Sequence, residues 1–119
     1  MQQKFPYKRA DRVSDLLRSI ISEALSYKVH HRNLDLVTIT EVKLSPDMKH
    51  ADVFFRVFDQ SKLGSIKESL ELVSPKVQKE ISKNVTMKYV PKIHFVYDES
   101  LDYGYKIDKL LEDVRGEEE

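Results

Sequence analysis

The chain contains no cysteine, only three glycines and no apolar run of the length that a membrane span needs. Without cysteine it can form no disulfide, use no thiol nucleophile and bind no metal through a thiolate, which is typical of proteins of the reducing cytoplasm. A membrane-spanning helix needs roughly 20 consecutive apolar residues, and the N-terminus lacks the apolar core of a signal peptide. We therefore expect a soluble cytoplasmic protein with no membrane partner.

Catalytic and metal-binding motifs are missing as well. No glycine-rich loop precedes a predicted helix, and neither G-x-S-x-G nor H-E-x-x-H occurs. The four histidines lie at positions 30, 31, 50 and 94. His30 and His31 are adjacent, so neither helix nor strand geometry easily directs both at one metal, and no spaced acidic partner accompanies them. We expect no enzyme activity, no cofactor and no metal site.

Charge is balanced overall but divided unevenly along the chain. Basic and acidic residues number 20 each, yet residues 1–32 carry seven basic against three acidic side chains and residues 98–119 carry three against nine. A neutral protein is normally a poor match for nucleic acid, because backbone contacts need local positive charge. An acidic end can hide a basic body from the net charge, although an ordinary solvated surface with a disordered acidic end gives the same pattern.

Hydrophobic spacing predicts a helix followed by a hairpin. Apolar residues recur at helical spacing from about residue 7 to residue 27, which indicates an amphipathic helix. Residues 36–58 read as two strands joined by a Ser-Pro-Asp turn at 45–47. The second strand alternates regularly, whereas the phase of the first slips near Thr40 and Glu41. A β-bulge would cause this slip, and so would a strand covered on both faces.

A proline divides the helical region that follows the hairpin. Asp59 or Ser61 can cap a second helix, which Pro75 is predicted to interrupt because proline restricts the preceding residue and has no N–H to donate. Ser74 suits an N-cap, so a third helix is predicted to begin there. The bend between the two helices comprises Val73, Ser74 and Pro75.

The chain is predicted to end with a strand over residues 89–97 and a helix over about 101–114. Acidic side chains between these elements fit a helix N-terminus, where the helix dipole favours negative charge. The crossover through two helices is long enough to make the second and third strands parallel. The predicted core contains apolar residues of every element: Leu16, Leu17, Ile20, Ile39, Val53, Phe55, Leu70, Ile81, Phe95 and Leu110.

The order of elements predicts an α+β domain in which helices cover one face of a three-stranded mixed sheet. With its helix, two strands, two helices joined by a kink, strand and final helix, it matches the type II KH fold. That architecture binds nucleic acid, although a fold alone does not establish function. A chain of 119 residues is long enough for one core and too short for two. We expect one KH-like RNA-binding domain over residues 1–115 and a disordered acidic tail over 116–119.

Five stretches of the chain resemble the bacterial ribosome-binding factor A family. They are RADRV at 9–13, LLRSIISEAL in the first helix, TITEVKLSPDMKHADVFFRV in the hairpin, VPKIHFVYDES at 90–100 and IDKLLE at 107–112. They follow in the family's order over roughly residues 7–114. The resemblance implies a monomeric, non-enzymatic factor that binds the immature 30S subunit and its 16S ribosomal RNA. It further implies a role in late assembly and rRNA processing, needed most in the cold.

Two positions depart from the family's pattern. Members typically carry Asp-Pro-Arg after the first helix, where this chain has His30, His31 and Arg32, so only Arg32 matches. Members also place Ala-x-Gly at the bend between the paired helices, where this chain has Val-Ser-Pro at 73–75. Without the glycine, the bend is not predicted to let an RNA backbone approach closely. The proline still implies a kink that shapes the domain.

Basic residues in clusters are the candidates for binding RNA, because RNA backbone is bound largely by Lys and Arg. On the first helix Arg9 and Arg12 are neighbours, with Lys8 beside them. Three lysines of the third helix step by three and four residues and so share one face. The candidate RNA-binding residues are Lys8, Arg9, Arg12, Arg18, Lys28, Arg32, Lys76, Lys79 and Lys83.

Aromatic residues are a second possible source of RNA contacts, because bases stack on exposed rings. Burial preference instead assigns Phe54, Phe55 and Phe95 to the core.

A function of another class also fits the sequence, namely a small α+β interaction module whose basic faces bind an acidic protein. Ribonuclease treatment distinguishes the two functions, since digestion abolishes an association made through RNA and leaves an association with a protein intact.

Overall fold

Two helices and a three-stranded sheet form the part of the chain that the computed structural model describes, residues 9–31 and 33–100. In chain order the elements are α1 (Arg9–Glu23), β1 (Val37–Leu44), β2 (His50–Val57), α2 (Leu63–Asn84) and β3 (Lys92–Tyr97). A π-helical turn, Ala24–Lys28, extends α1, and 3-10 turns at Leu34–Leu36 and Gln60–Lys62 precede β1 and α2. The α+β class is confirmed. The helix predicted over 101–114 and the tail at 116–119 lie outside the described residues.

The strands form one mixed sheet in the order β1-β2-β3. β1 is antiparallel to β2, and β3 is parallel to β2, as the long crossover predicts. The pairing of β1 shifts between Ile39 and Glu41, so Thr40 is the extra residue of a β-bulge. Ile39 and Val42 are both buried, three positions apart. The bulge is therefore the correct explanation of the slip in phase.

Both helices pack against the same side of the sheet. The predicted alternation of β2 is confirmed, because Ala51, Val53, Phe55 and Val57 are buried. Asp59 caps the 3-10 turn that precedes α2, accepting a hydrogen bond from the backbone nitrogen of Ser61 at 3.0 Å. It does not cap α2 itself, whose N-cap is Lys62 without a side-chain hydrogen bond. The core draws apolar side chains from every element: Leu17, Ile21, Ile39, Val53, Phe55, Ile66, Leu70, Val77, Ile81 and Ile93, with Ile20 and Phe95 partly buried against them.

Two side chains predicted for the core are not part of it. Leu16 is 47% exposed, because Leu17 takes the buried position on that turn of α1. Phe54 is only half-buried, and it lies on the helix-free side of the sheet because it alternates with Phe55. The ammonium of Lys43 lies 5.4 Å from the centre of its ring. Leu110 lies outside the described residues.

The predicted start of a new helix at Ser74 and Pro75 is wrong, because α2 is one helix with Pro75 inside it. The buried positions of α2 explain its continuity. The apolar ones fall at 66, 70, 73, 77 and 81, so the buried stripe keeps its phase across Val73, Ser74 and Pro75. Packing of both halves against one sheet outweighs the hydrogen bond that proline cannot donate to the carbonyl of Glu71. Proline inside a helix generally bends it, so a kink without a break stays a prediction.

Replacing Pro75 with alanine should stabilise the domain. The alanine supplies an N–H to the carbonyl of Glu71 and removes the ring that crowds it, a difference worth up to about 3 kcal/mol in a helix interior. The alanine also gives the unfolded chain more conformational freedom, which lowers the free energy of unfolding and offsets part of this gain. We expect the free energy of unfolding, measured by urea denaturation, to rise. A fall would contradict the view that the proline strains α2.

Candidate nucleic-acid interface

The basic residues of α1 lie on two different sides of the helix. Arg9 and Arg12 are exposed and adjacent, as their spacing predicts. At about 100° per residue, Arg18 lies half a turn away from Arg9. It lines a cleft between α1 and β1. The structure therefore keeps Arg9 and Arg12 together and separates Arg18 from them.

The cleft beside Arg18 is acidic. Its volume is about 700 Å³. Four acidic and two basic side chains are among its lining residues: Asp11, Asp15, Glu41, Asp98, Arg18 and Lys43. An excess of carboxylates repels phosphate, so this cleft is a poor site for an RNA backbone. Of the predicted contacts in the described residues, Arg18 is the one whose surroundings argue against RNA.

Asp98 ties the end of β3 to the bulge in β1. Its Oδ1 accepts hydrogen bonds from the hydroxyl of Ser100 at 2.6 Å and from the backbone nitrogen of Ser100 at 3.0 Å. Its Oδ2 accepts a hydrogen bond from the hydroxyl of Thr40 at 2.7 Å. The Ser100 hydroxyl, followed by the Thr40 hydroxyl, holds the pKa of Asp98 below its usual 3.8. These bonds give the carboxylate a structural role at the end of β3.

Three of the four lysines of α2 share an exposed stripe, as predicted. Lys76, Lys79 and Lys83 are all exposed. The ammonium of Lys83 lies 3.3 Å from a carboxylate oxygen of Glu80, an exposed pair of small energetic value. Lys28 is also exposed. It lies near the C-terminal end of α2, since it lines a small cavity together with Glu80. The ends of α1 and α2 thus bring Lys28 towards the lysine stripe.

The outward residues of both helices form one surface, since α1 and α2 cover the same side of the sheet. We call it the helical face and define it by its basic residues, Arg9, Arg12, Lys28, Lys76, Lys79 and Lys83. Two leucines on the outer sides of these helices are also exposed, Leu16 at 47% and Leu72 at 68%. Lys8 and Arg32 lie outside the described residues. Six of the nine predicted RNA contacts therefore belong to a single exposed surface.

A groove between α2 and β3 escaped the sequence analysis. Its volume is about 660 Å³, and it is lined by Lys67 and Ser74 of α2 and by the outward edge of β3. A neighbouring cavity of about 520 Å³ is lined by Ser74, Pro75 and Lys92. The bend residues therefore form part of a groove wall with a lysine at either end. The only signal in the sequence was the proline, because neither lysine belongs to a cluster along the chain.

Gln78 joins α2 to β3 in the neighbouring cavity. Its side-chain nitrogen donates to the carbonyl of Pro91 at 2.7 Å, and its side-chain oxygen accepts from the backbone nitrogen of Ile93 at 3.1 Å. The outward edge of β3 is thus already hydrogen-bonded at its start. Gln78 fixes the distance between α2 and β3 and so the width of the groove.

Among residues 9–31 and 33–100, no group of three or more potential metal-ligating side chains could hold a metal ion. No helix within those residues is long and apolar enough to cross a membrane. His50 and His94, which are distant in sequence, meet on neighbouring strands with Nδ1 of one 3.2 Å from Nε2 of the other. Two imidazoles without a third ligand give only part of a metal site.

The fold and its basic helical face define a KH-like α+β domain with an exposed surface suited to anions. The family model of ribosome-binding factor A matches residues 9–111. Ribosome-binding factor A of Geobacter metallireducens is 34% identical over 114 residues, which cover 94% of this chain and 96% of that protein. The chain belongs to the ribosome-binding factor A family.

Solved structures agree with this assignment at the level of the fold. The crystal structure of ribosome-binding factor A from Thermus thermophilus has a TM-score of 0.67 and 18% identity, covering 74% of this chain and 93% of its own. Another set of coordinates for that Thermus thermophilus protein was fitted into a cryo-EM map of a complex with the 30S subunit. It has a TM-score of 0.59 at 18% identity and covers 72% of this chain and 91% of its own. The resemblance and the fold class predicted from the sequence are both confirmed.

Proposed function

We propose that this protein is a non-enzymatic maturation factor that binds the immature 30S subunit through 16S ribosomal RNA. In this role it assists late subunit assembly and rRNA processing, and cells need it most at low temperature. Family membership supports a ribosomal partner, and the relative fitted into a 30S complex supports the small subunit. We further propose that it acts as a cytoplasmic monomer with no cofactor and no membrane partner.

The helical face is the observation that carries this proposal. It presents six exposed basic side chains on one surface, two from α1, one from the turn that follows it and three from α2. Each Lys or Arg that contacts a phosphate releases condensed counterions, so clustered basic residues give strong, salt-sensitive binding to RNA. Such contacts position a protein on RNA without reading its sequence. Large folded rRNA offers closely spaced phosphates to such a surface.

Co-sedimentation with purified small subunits tests the proposal directly. The protein should pellet with immature subunits more than with mature ones, and ribonuclease should abolish pelleting. The logarithm of the binding constant should fall with the logarithm of salt concentration, by roughly 0.7 to 0.9 per phosphate contact. A chain that ends at Arg115 should bind as tightly as the full chain, because the four residues removed include three glutamates, which repel phosphate. Binding indifferent to both salt and ribonuclease would refute an RNA contact.

The exposed leucines favour a second candidate function. Leu16 and Leu72 add apolar area beside basic residues, and such a mixture also suits an acidic protein partner. In this alternative the domain is a small interaction module. Substituting both leucines with serine should then weaken binding, and ribonuclease should leave it intact. The maturation factor predicts the opposite result for ribonuclease.

A further inference from the structure

A second basic cluster surrounds Tyr89, in the loop between α2 and β3. The Tyr89 side chain is 61% exposed. The ammonium nitrogen of Lys49 lies 5.7 Å from the centre of its ring, and that of Lys88 lies 5.5 Å away. Both distances allow cation–π attraction, while the two ammonium groups repel each other. An anion bound between the lysines would relieve this repulsion, and none of the three residues belongs to the helical face.

The main chain that follows Tyr89 is anchored, as is the backbone of Lys49. The backbone nitrogen of Lys92 donates to the carbonyl of Lys49 at 2.9 Å, which joins the hairpin turn to the start of β3. The carbonyl of Pro91 accepts a hydrogen bond from Gln78 of α2 at 2.7 Å. Lys49 and the segment directly after Tyr89 are therefore fixed to the sheet and to α2. Such support is what a binding site requires of its contact residues.

Further polar groups extend the cluster along the helix-free side of the sheet. His50 follows Lys49 in the chain and pairs in register with Lys92. Its ring stacks on that of His94 with a centroid separation of 5.4 Å. Both histidines and Lys92 are exposed. They place additional hydrogen-bond donors next to the lysines that flank Tyr89.

Two carboxylates lie close to this cluster. Asp47 in the hairpin turn accepts hydrogen bonds from the hydroxyl of Ser45 at 2.6 Å and from the backbone nitrogen of Lys49 at 3.0 Å. Asp52 pairs in register with His94. Asp47 is thus committed to the turn, and the lysines at 49, 88 and 92 outnumber the two carboxylates. The local balance favours an anionic ligand.

We infer that Lys49, Lys88 and Tyr89 form a second RNA-binding site, which takes a single-stranded segment. One base stacks on the Tyr89 ring, the lysines leave the ring for the flanking phosphates, and Lys92 provides the next contact. An exposed ring accepts a base only where that base is unpaired and free to leave its own stack, so the geometry favours single strands over duplex. The inference rests on the proposed function in that the ligand is RNA, and it adds a site and a class of RNA.

Fluorescence anisotropy of a short, fluorescein-labelled oligouridylate with the full chain tests this site. Tyr89→Ala should weaken binding roughly 5- to 150-fold, the loss that follows removal of one stacking ring. Tyr89→Phe keeps the ring and should bind like the unmodified protein. Lys49→Gln with Lys88→Gln should weaken binding and flatten its salt dependence by roughly 0.7 for each phosphate that the variant no longer binds. Circular dichroism melting would show that each variant remains folded.

The controls separate this site from the helical face. Arg9→Gln with Arg12→Gln should reduce pelleting with small subunits, whereas the factor by which Tyr89→Ala weakens oligouridylate binding should be the same with and without this double change. If the unmodified protein ignores oligouridylate, or if Tyr89→Ala binds it normally, the site is refuted while the co-sedimentation result stands. If Tyr89-dependent binding occurs but the protein ignores small subunits, the proposed function is wrong and the site remains. Equal affinity for an RNA duplex would also overturn the inference.

Discussion

Replacing Phe55 with alanine should lower the free energy of unfolding by about 3–5 kcal/mol, the largest stability effect that we expect from one substitution. Phe55 is 1% exposed in the middle of β2. Its ring meets those of Phe95 and Tyr97 edge-on, with centroid separations of 6.5 Å and 5.7 Å. Truncation removes buried apolar area and leaves a cavity in the core. Urea denaturation of the variant and the unmodified protein measures the difference.

Phe54→Ala is the matched control for this prediction. It removes the same atoms from the adjacent residue, but Phe54 is only half-buried on the helix-free side of the sheet. We expect a loss of about 1 kcal/mol, since little cavity forms where solvent can fill the space. A larger loss for Phe54→Ala than for Phe55→Ala, or a loss below about 1 kcal/mol for Phe55→Ala, would show that the two faces of β2 are assigned the wrong way round.

The sheet was predictable because its signals are local. Alternation of apolar residues in β2 is such a signal, and the slip in phase at Thr40 offered a bulge as one of two explanations. The length of the crossover made β2 and β3 parallel. Each of these features depends on residues close in sequence or on chain length alone. The family resemblance added the same order of elements.

The helices show where local rules gave the wrong answer. Pro75 satisfies the criteria for a helix boundary, but the buried stripe of α2 keeps its phase on both sides of it. Tertiary packing therefore decides that the helix continues. Leu16 and Leu17 are equally apolar, and only the orientation of α1 on the sheet determines which one is buried. The π-helical turn Ala24–Lys28 likewise has no signature in the sequence.

The candidate sites likewise contain some features that local spacing predicted and others that it did not. Spacing along a helix predicted that Arg9 would lie near Arg12 and that Lys76, Lys79 and Lys83 would form a stripe. It did not reveal that Arg18 borders an acidic cleft, because part of that cleft belongs to β1. Lys49 meets Tyr89 only because the parallel pairing of β2 and β3 brings the hairpin turn beside a distant loop. Residues that meet through pairing of distant strands are hidden from an analysis of single segments.

Reversing the charge of both arginines at the start of α1, Arg9→Glu with Arg12→Glu, should abolish co-sedimentation with small subunits. Both side chains are exposed and adjacent on the helical face, so the change replaces two phosphate contacts with two groups that repel phosphate. The fold should survive, because exposed substitutions usually change stability by about 0.5 kcal/mol or less. Pelleting of the variant with immature subunits at low salt measures the binding, and its urea denaturation curve measures the stability.

Lys43→Glu with Lys62→Glu is the matched control, since it changes the net charge by the same amount at two exposed residues outside the helical face. If binding depends on where the positive charge lies, this control should keep most of its pelleting while the arginine variant loses it. Equal losses would mean that total charge, rather than the helical face, attracts the subunit. Normal pelleting of the folded arginine variant would remove the basis for placing RNA on this face. The acidic-partner module would then become the better account of the exposed leucines beside it.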